Sequence, residues 1–167
     1  MEKFEENLDY DEEMLAEDED AQKDKYITFR LGSEEYAIEI QYVNEIIGMQ
    51  TITVLPAMPN YLKGVINLRG LVYPIIDVRV RFLMEAIEYN DRTCIIIVSL
   101  QNSKVGLIVD EVSEVMNIPE DKIDPPPLTG NKSSRFIKGT GKIADKVIIL
   151  LDVDNFMTSE EALSVNI

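Results

Sequence analysis

The chain has no histidine and no tryptophan, and its single cysteine, Cys94, rules out an internal disulfide. Without histidine, no Ser-His, Cys-His or His-metal constellation can be built. Cys94 runs into Ile95-Ile96-Ile97-Val98, the setting of a small buried apolar residue. Positive charge is scarce: 16 Lys and Arg stand against 31 Asp and Glu, a net charge of −15. A nucleic-acid binder needs a basic stripe, and an anionic membrane surface needs a basic cluster; the sequence has neither. No apolar run approaches the roughly 20 residues of a membrane span, and the acidic start lacks the features of a signal peptide. A cytoplasmic protein without membrane insertion is expected.

What charge there is lies unevenly. Residues 1–25 hold twelve acids and three lysines, so they carry −9 of the −15. That composition cannot bury enough apolar surface to offset ordering entropy, which predicts a disordered acidic tail over 1–25. The remaining residues suffice for one body with a substantial core.

Those residues contain a weak internal repeat. Segment 26–47, YITFRLGSEEYAIEIQYVNEII, aligns without gaps on 95–116, IIIVSLQNSKVGLIVDEVSEVM. Leu31 falls on Leu100, Val43 on Val112 and Glu45 on Glu114. Segment 61–78, YLKGVINLRGLVYPIIDV, aligns on 136–153, FIKGTGKIADKVIILLDV, placing Lys63, Gly64, Asp77 and Val78 on Lys138, Gly139, Asp152 and Val153. Two blocks in the same order mean two similar units. Each unit alone is near the lower limit for an independent core, so the two should pack together.

Period-two patterning dominates both units. Strands are expected over 26–31 and 36–40, with counterparts at 94–100 and 104–109. Further strands are expected at 65–69 and 71–76, matched by Ile143 and 147–151. Pro74 marks an edge or a bulge. Residues 40–47 read as a short helix or a strand, 78–83 as one helical turn, and 154–163 as the best helix. Many short strands in two related units predict an all-β fold with minor α content, built as two barrels side by side over about 26–90 and 91–153. Asp77 and Asp152 cap the same strand–helix junction twice; an acid pair for hydrolysis is the sharper alternative, disfavoured by the repetition.

The units differ in two places. Arg69 falls on Ala144 and Asn67 on Lys142, so the fold closes the second unit without an arginine at that hairpin. A guanidinium is a rigid fork of donors enriched at binding hot spots, and Glu45 is a candidate partner for it. Between the matching blocks, the second unit also carries six extra residues around Asp124-Pro125-Pro126-Pro127-Leu128. Three consecutive prolines make a stiff segment, either a connector or a preordered docking loop.

The ordered series YITFRLGSEEYAIEI, VNEIIG, KGVINLRGLVYPIIDVRVRF, VGLIVDEVSEV and ILLDVDNF resembles the bacterial chemotaxis coupling protein (CheW) family, over about 26–163. Its most specific stretch is 63–82. The resemblance implies two packed SH3-like five-stranded barrels, a short C-terminal helix, no catalysis and no cofactor. It implies an adaptor that couples the cytoplasmic hairpin tips of chemoreceptors to the regulatory domain of the histidine kinase CheA within signalling arrays at the membrane. A coupling module of a different, non-flagellar or fusion-derived system is the alternative. By the same resemblance, receptor contacts fall on Val43, Glu45, Gly64, Asn67, Arg69, Val112 and Val115, and kinase contacts on Asp124, Pro125 and Leu128.

Overall fold

The computed structural model describes residues 22–100, 103–126 and 136–155. Eleven strands occupy them: β1 (Lys25–Leu31), β2 (Glu34–Glu39), β3 (Val43–Gly48), β4 (Leu62–Leu68), β5 (Leu71–Asp77), β6 (Cys94–Leu100), β7 (Ser103–Val109), β8 (Glu111–Asn117), β9 (Ile123–Asp124), β10 (Ile137–Ile143) and β11 (Lys146–Leu151). One turn of helix, α1 (Val78–Arg81), follows β5. Residues 40–47 resolve into a 3₁₀ turn, Ile40–Tyr42, and then β3. The first 21 residues of the acidic segment lie outside the described residues, as does the expected helix beyond Asn155; residues 153–155 form a turn.

The strands form two sheets, ordered β3-β6-β7-β5-β4 and β8-β1-β2-β11-β10-β9. The first uses the continuous stretch 43–109, and the second uses 25–39 with 111–151. One barrel is therefore inserted into the other between β2 and β8. The boundary near residue 90, read from the repeat, is not the boundary of the barrels. Each barrel takes its hairpin β1–β2 or β6–β7 from one repeat and its remaining strands from the other. The chain crosses between barrels at Ile40–Tyr42 and at Asp110, which the alignment makes equivalent.

Both sheets close in the same way. In the inserted barrel the chain beyond β3 returns to the far edge, where Thr53 bridges Val65 of β4. In the split barrel β8 continues through the 3₁₀ turn Glu120–Lys122 into β9, which pairs with β10 at Thr140↔Asp124. Bulges repeat as well. Ile46↔Ile96 and Val43↔Val98 in one barrel match Val115↔Ile27 and Val112↔Phe29 in the other, with an extra residue in β3 and in β8. A second pair of bulges falls at Lys63 and Lys138. Bulges raise local twist, which a small barrel needs in order to close. Pro74 lies in an interior strand, not at an edge, but outside the stretch Ile75–Asp77 that pairs with β7.

Three apolar clusters follow from the alternation of side chains along each strand. Ile95 and Ile97 of β6 point into the inserted barrel with Ile66, Ile75 and Ile108. Tyr26, Ala37, Ile118, Ile148 and Leu150 fill the split barrel. The largest cluster lies between the barrels: Ile27, Phe29, Leu31 and Ile38 meet Ile76, Ile96, Val98, Leu107 and Val109, among others. Strands β1, β6 and β7 thus bury both faces, which is why CIIIVSL reads as a continuous apolar run and not as an alternation. Thr28 is fully buried, and its Oγ1 accepts from the Glu114 amide (3.1 Å) and donates to the Glu114 carbonyl (3.0 Å), satisfying the backbone at the β1–β8 bulge.

Gly64 marks the closest approach of two backbone segments. Its φ is +142°, and a Cβ there would lie 2.1 Å from the Thr53 carbonyl oxygen. Gly64→Ala is expected to destabilise the fold by about 2 kcal/mol or more. Gly48→Ala, with open space around the site, should shift stability by less than about 0.5 kcal/mol. Urea denaturation of the two variants checks the contrast.

Candidate functional site

The hairpin between β4 and β5 is a two-residue turn in which Arg69 (φ 53°) and Gly70 (φ 86°) are both left-handed. This is the primed geometry that matches the twist of flanking strands. Asn67 Oδ1 accepts the Gly70 amide at 2.9 Å, so the Asn-Leu-Arg-Gly signature is first of all a turn. Ala144, the equivalent of Arg69, has the same φ of 53°. The left-handed first turn position is shared between units; the guanidinium is not, and Asp145, unlike its equivalent Gly70, does not take a positive φ.

Arg69 Nη2 pairs with Glu45 Oε1 of β3, the opposite edge strand of the same sheet. The pair therefore spans the closure of the inserted barrel beyond the Thr53 bridge. The Arg69 side chain is 69% exposed and that of Glu45 32%, so the pair contributes about 0–1 kcal/mol to stability. Its donors remain open to solvent.

The structure distributes the other receptor residues over several settings. Val43 and Val112, equivalent by the repeat, are both half-buried against the cluster between the barrels. Val115 does not join them: it is 53% exposed on β8, matching Ile46 at 39% on β3. Gly64 is buried by the Thr53 backbone and presents no surface of its own. Asn67 is exposed but has its amide oxygen occupied by the turn. Of the kinase residues, Asp124 is in β9 and pairs with Lys142 Nζ at 2.7 Å, with both side chains largely exposed. Pro125 is exposed, and Leu128 lies outside the described residues.

The two repeated aspartates both accept backbone amides. Asp77 Oδ1 accepts the amides of Arg79 (3.0 Å) and Val80 (3.4 Å), and its Oδ2 accepts the Tyr89 hydroxyl at 2.8 Å. Asp152 accepts the Asn155 amide and its side-chain nitrogen at 3.3 and 2.7 Å. Asp77 caps a helix as the repetition implied, whereas Asp152 holds a turn, and the helix expected after it lies outside the described residues.

Sequence reasoning missed an ion pair that is largely buried. Arg79 Nε and Nη2 donate to Asp110 Oδ1 (2.7 Å) and Oδ2 (2.5 Å), and the Gly32 amide donates to the same Oδ2 at 2.8 Å. The Arg79 and Asp110 side chains are only 12% and 19% exposed. Burial alone would raise the Asp110 carboxyl, but the hydrogen bonds from Arg79 and Gly32 outweigh it and hold the group below the usual carboxylate range. The signal was an arginine two residues past a capping aspartate, with an unmatched aspartate closing the GLIVD run. Also unread was Arg81, whose guanidinium lies 4.2 Å from the ring centroid of Tyr61 and 4.6 Å from that of Phe136, two residues that are equivalent by the repeat.

Together these observations define a twin SH3-like barrel scaffold with one polar asymmetry at an exposed hairpin and another under cover. Among the described residues no group of acids and cysteine is placed to hold a metal, and no helix is long and apolar enough to cross a membrane. Residues 25–161 match the CheW-like domain. The chemotaxis protein CheW of Klebsiella aerogenes is 36% identical over 138 residues, covering 82% of this chain and 83% of that protein. That of Rhizobium meliloti is 38% identical over 136 residues, covering 81% and 88%. The crystal structure of the scaffolding protein TtCheW from Thermoanaerobacter tengcongensis superposes with a TM-score of 0.77 at 36% identity, covering 83% of this chain and 94% of that one. The chemotaxis protein CheV3 of Helicobacter pylori is 28% identical over 127 residues, which span 40% of its length. The chain belongs to the CheW-like family of chemotaxis proteins.

A group whose folded pKa is depressed contributes stability above its unfolded pKa and loses it as pH falls through the folded value. Asp110 is such a group, so part of the stability should disappear on the acid side of the ordinary carboxylate range. Arg79→Gln is expected to flatten that acid limb, and melting temperatures of parent and variant between neutral and acid pH provide the check.

Proposed function

We propose that this chain is a non-catalytic adaptor that links the cytoplasmic hairpin tips of chemoreceptors to the histidine kinase CheA, in arrays at the cytoplasmic face of the membrane. The observation that carries the reading is the family membership, together with an exposed Arg69–Glu45 pair whose arginine has only Ala144 as its counterpart in the other unit. A side chain that fold closure does not require, held at a left-handed turn position in open solvent, is available to a partner.

The receptor tip is a helical hairpin. Val43 and Val112, bordering the contact between barrels, would accept the apolar face of such a helix, with Arg69 and Glu45 orienting it. Val115 and Asn67 would lie at the periphery of that contact. Gly64 would act through the backbone it permits and not by touching the receptor. Asp124, Pro125 and Leu128 would face the regulatory domain of the kinase. Individual contacts would be weak, and the repetition of sites in an array would supply avidity.

Arg69→Ala is expected to leave the melting temperature within a few degrees of the parent, because the pair is exposed. The same change should markedly weaken receptor-dependent control of the kinase. Pull-down and kinase assays with purified CheA and a receptor cytoplasmic fragment test both halves. A folded variant that couples as well as the parent refutes the role of Arg69. Failure of the parent to bind either partner favours a coupling module of a different signalling system.

A further inference from the structure

The chain passes between the barrels only twice among the described residues, at Ile40–Tyr42 and at Asp110. The repeat makes these crossings equivalent: Gln41 falls on Asp110, and Asp154 falls on Arg79. The chemistry at the two is not equivalent. At Asp110 one carboxylate takes two hydrogen bonds from Arg79, which follows the inserted barrel's β5, and a third from Gly32 in the split barrel's β1–β2 turn. The Asp110 amide adds a bond to the Arg30 carbonyl at 3.1 Å, and Arg79 Nη1 donates to the Glu85 carbonyl at 3.0 Å. At the other crossing the Gln41 amide turns to Glu39, and, among the described residues, Asp154 accepts only a long bond from the Tyr42 hydroxyl at 3.4 Å, at an exposed position.

A body joined to another by two strands of chain can rotate about the line through them. Fixing one crossing and leaving the other loose converts that freedom into rocking about the fixed point. We propose that Arg79 and Asp110 are a pivot that sets the angle between the two barrels, and that the barrels rock about it with displacement growing toward Tyr42 and Asp154. The apolar cluster between the barrels keeps the motion small, since wide separation would expose it. Val43 follows the loose crossing directly and Val112 lies two residues beyond the pivot. Rocking therefore moves one of these equivalent valines more than the other. Arg79 and Asp110 act here as positioning residues.

The test is a distance measurement between barrels in the full-length chain. Spin labels at Val72→Cys and Val147→Cys, equivalent exposed positions on β5 and β11, report the angle in a Cys94→Ser background. Arg79→Gln is expected to broaden and shift the distance distribution. Asp110→Asn, which keeps its size and the oxygen facing Gly32, should do the same if Arg79→Gln fails to fold. Amides near residues 107–113 should exchange about tenfold faster or more in either variant, the factor expected on losing a charged hydrogen bond. Asp154→Ala should leave the distribution unchanged. Gln41→Asp combined with Asp154→Arg builds the missing counterpart and should narrow it. A folded Arg79→Gln or Asp110→Asn protein with the parental distribution overturns the proposal, as does a Gln41→Asp/Asp154→Arg protein that is no narrower.

Discussion

Burial of both faces of the same strands is the constraint on which this molecule depends. Strand β6 turns Ile95 and Ile97 into one barrel and Ile96, Val98 and Leu100 toward the other, and β1 and β7 are used likewise. A barrel of about 70 residues is close to the limit at which an apolar interior alone can hold a fold. The shared cluster removes that limit by letting each barrel serve as the other's lid. Truncating a single large residue in such a cluster costs about 2–5 kcal/mol, a large part of the stability of a domain this size. Independent barrels are therefore not an option for this sequence, and any movement between them must preserve most of that contact.

The duplicated architecture separates what the fold requires from what it does not. Bulges, closures, repeated aspartates and the left-handed first hairpin position recur at matched positions in both halves. The departures are polar. Arg69 stands where Ala144 stands, and Arg79 and Asp110 stand where Asp154 and Gln41 stand. Arg69 and Glu45 meet in solvent, where an ion pair adds little stability and keeps its donors free. Arg79 and Asp110 meet under cover, where paired hydrogen bonds to a carboxylate fix geometry. One asymmetry lies in solvent at a hairpin, and the other lies buried where the chain crosses between barrels.

Much of this was legible in the residues. Period-two patterning located the hairpins, the repeat implied two similar bodies, and Glu45 was the right partner for Arg69. The assignment of strands to barrels was not legible. A repeat boundary is set by duplication of the chain, whereas a barrel boundary is set by which edges pair, and the hairpin β1–β2 pairs with the distant strands β8 and β11 of the other repeat. Gly64 carried a family signature but turned out to be a point of backbone contact, because sequence records that a side chain is missing and not what fills the space. Val115 shares the apolar character of Val112, yet is largely exposed where Val112 packs against the cluster between the barrels, a difference of burial that apolar character alone does not record.

By itself the sequence determined the all-β class, the twofold plan, the family, and the absence of the residues from which histidine-based catalysis is built. These depend on composition and on local period, which are properties of neighbours along the chain. Only the tertiary structure decided that one barrel is inserted within the other, that two equivalent crossings join them, and that Arg79 meets Asp110 at one of these. Those are matters of long-range pairing and burial. They are settled when distant segments compete for the same hydrogen bonds and the same apolar space.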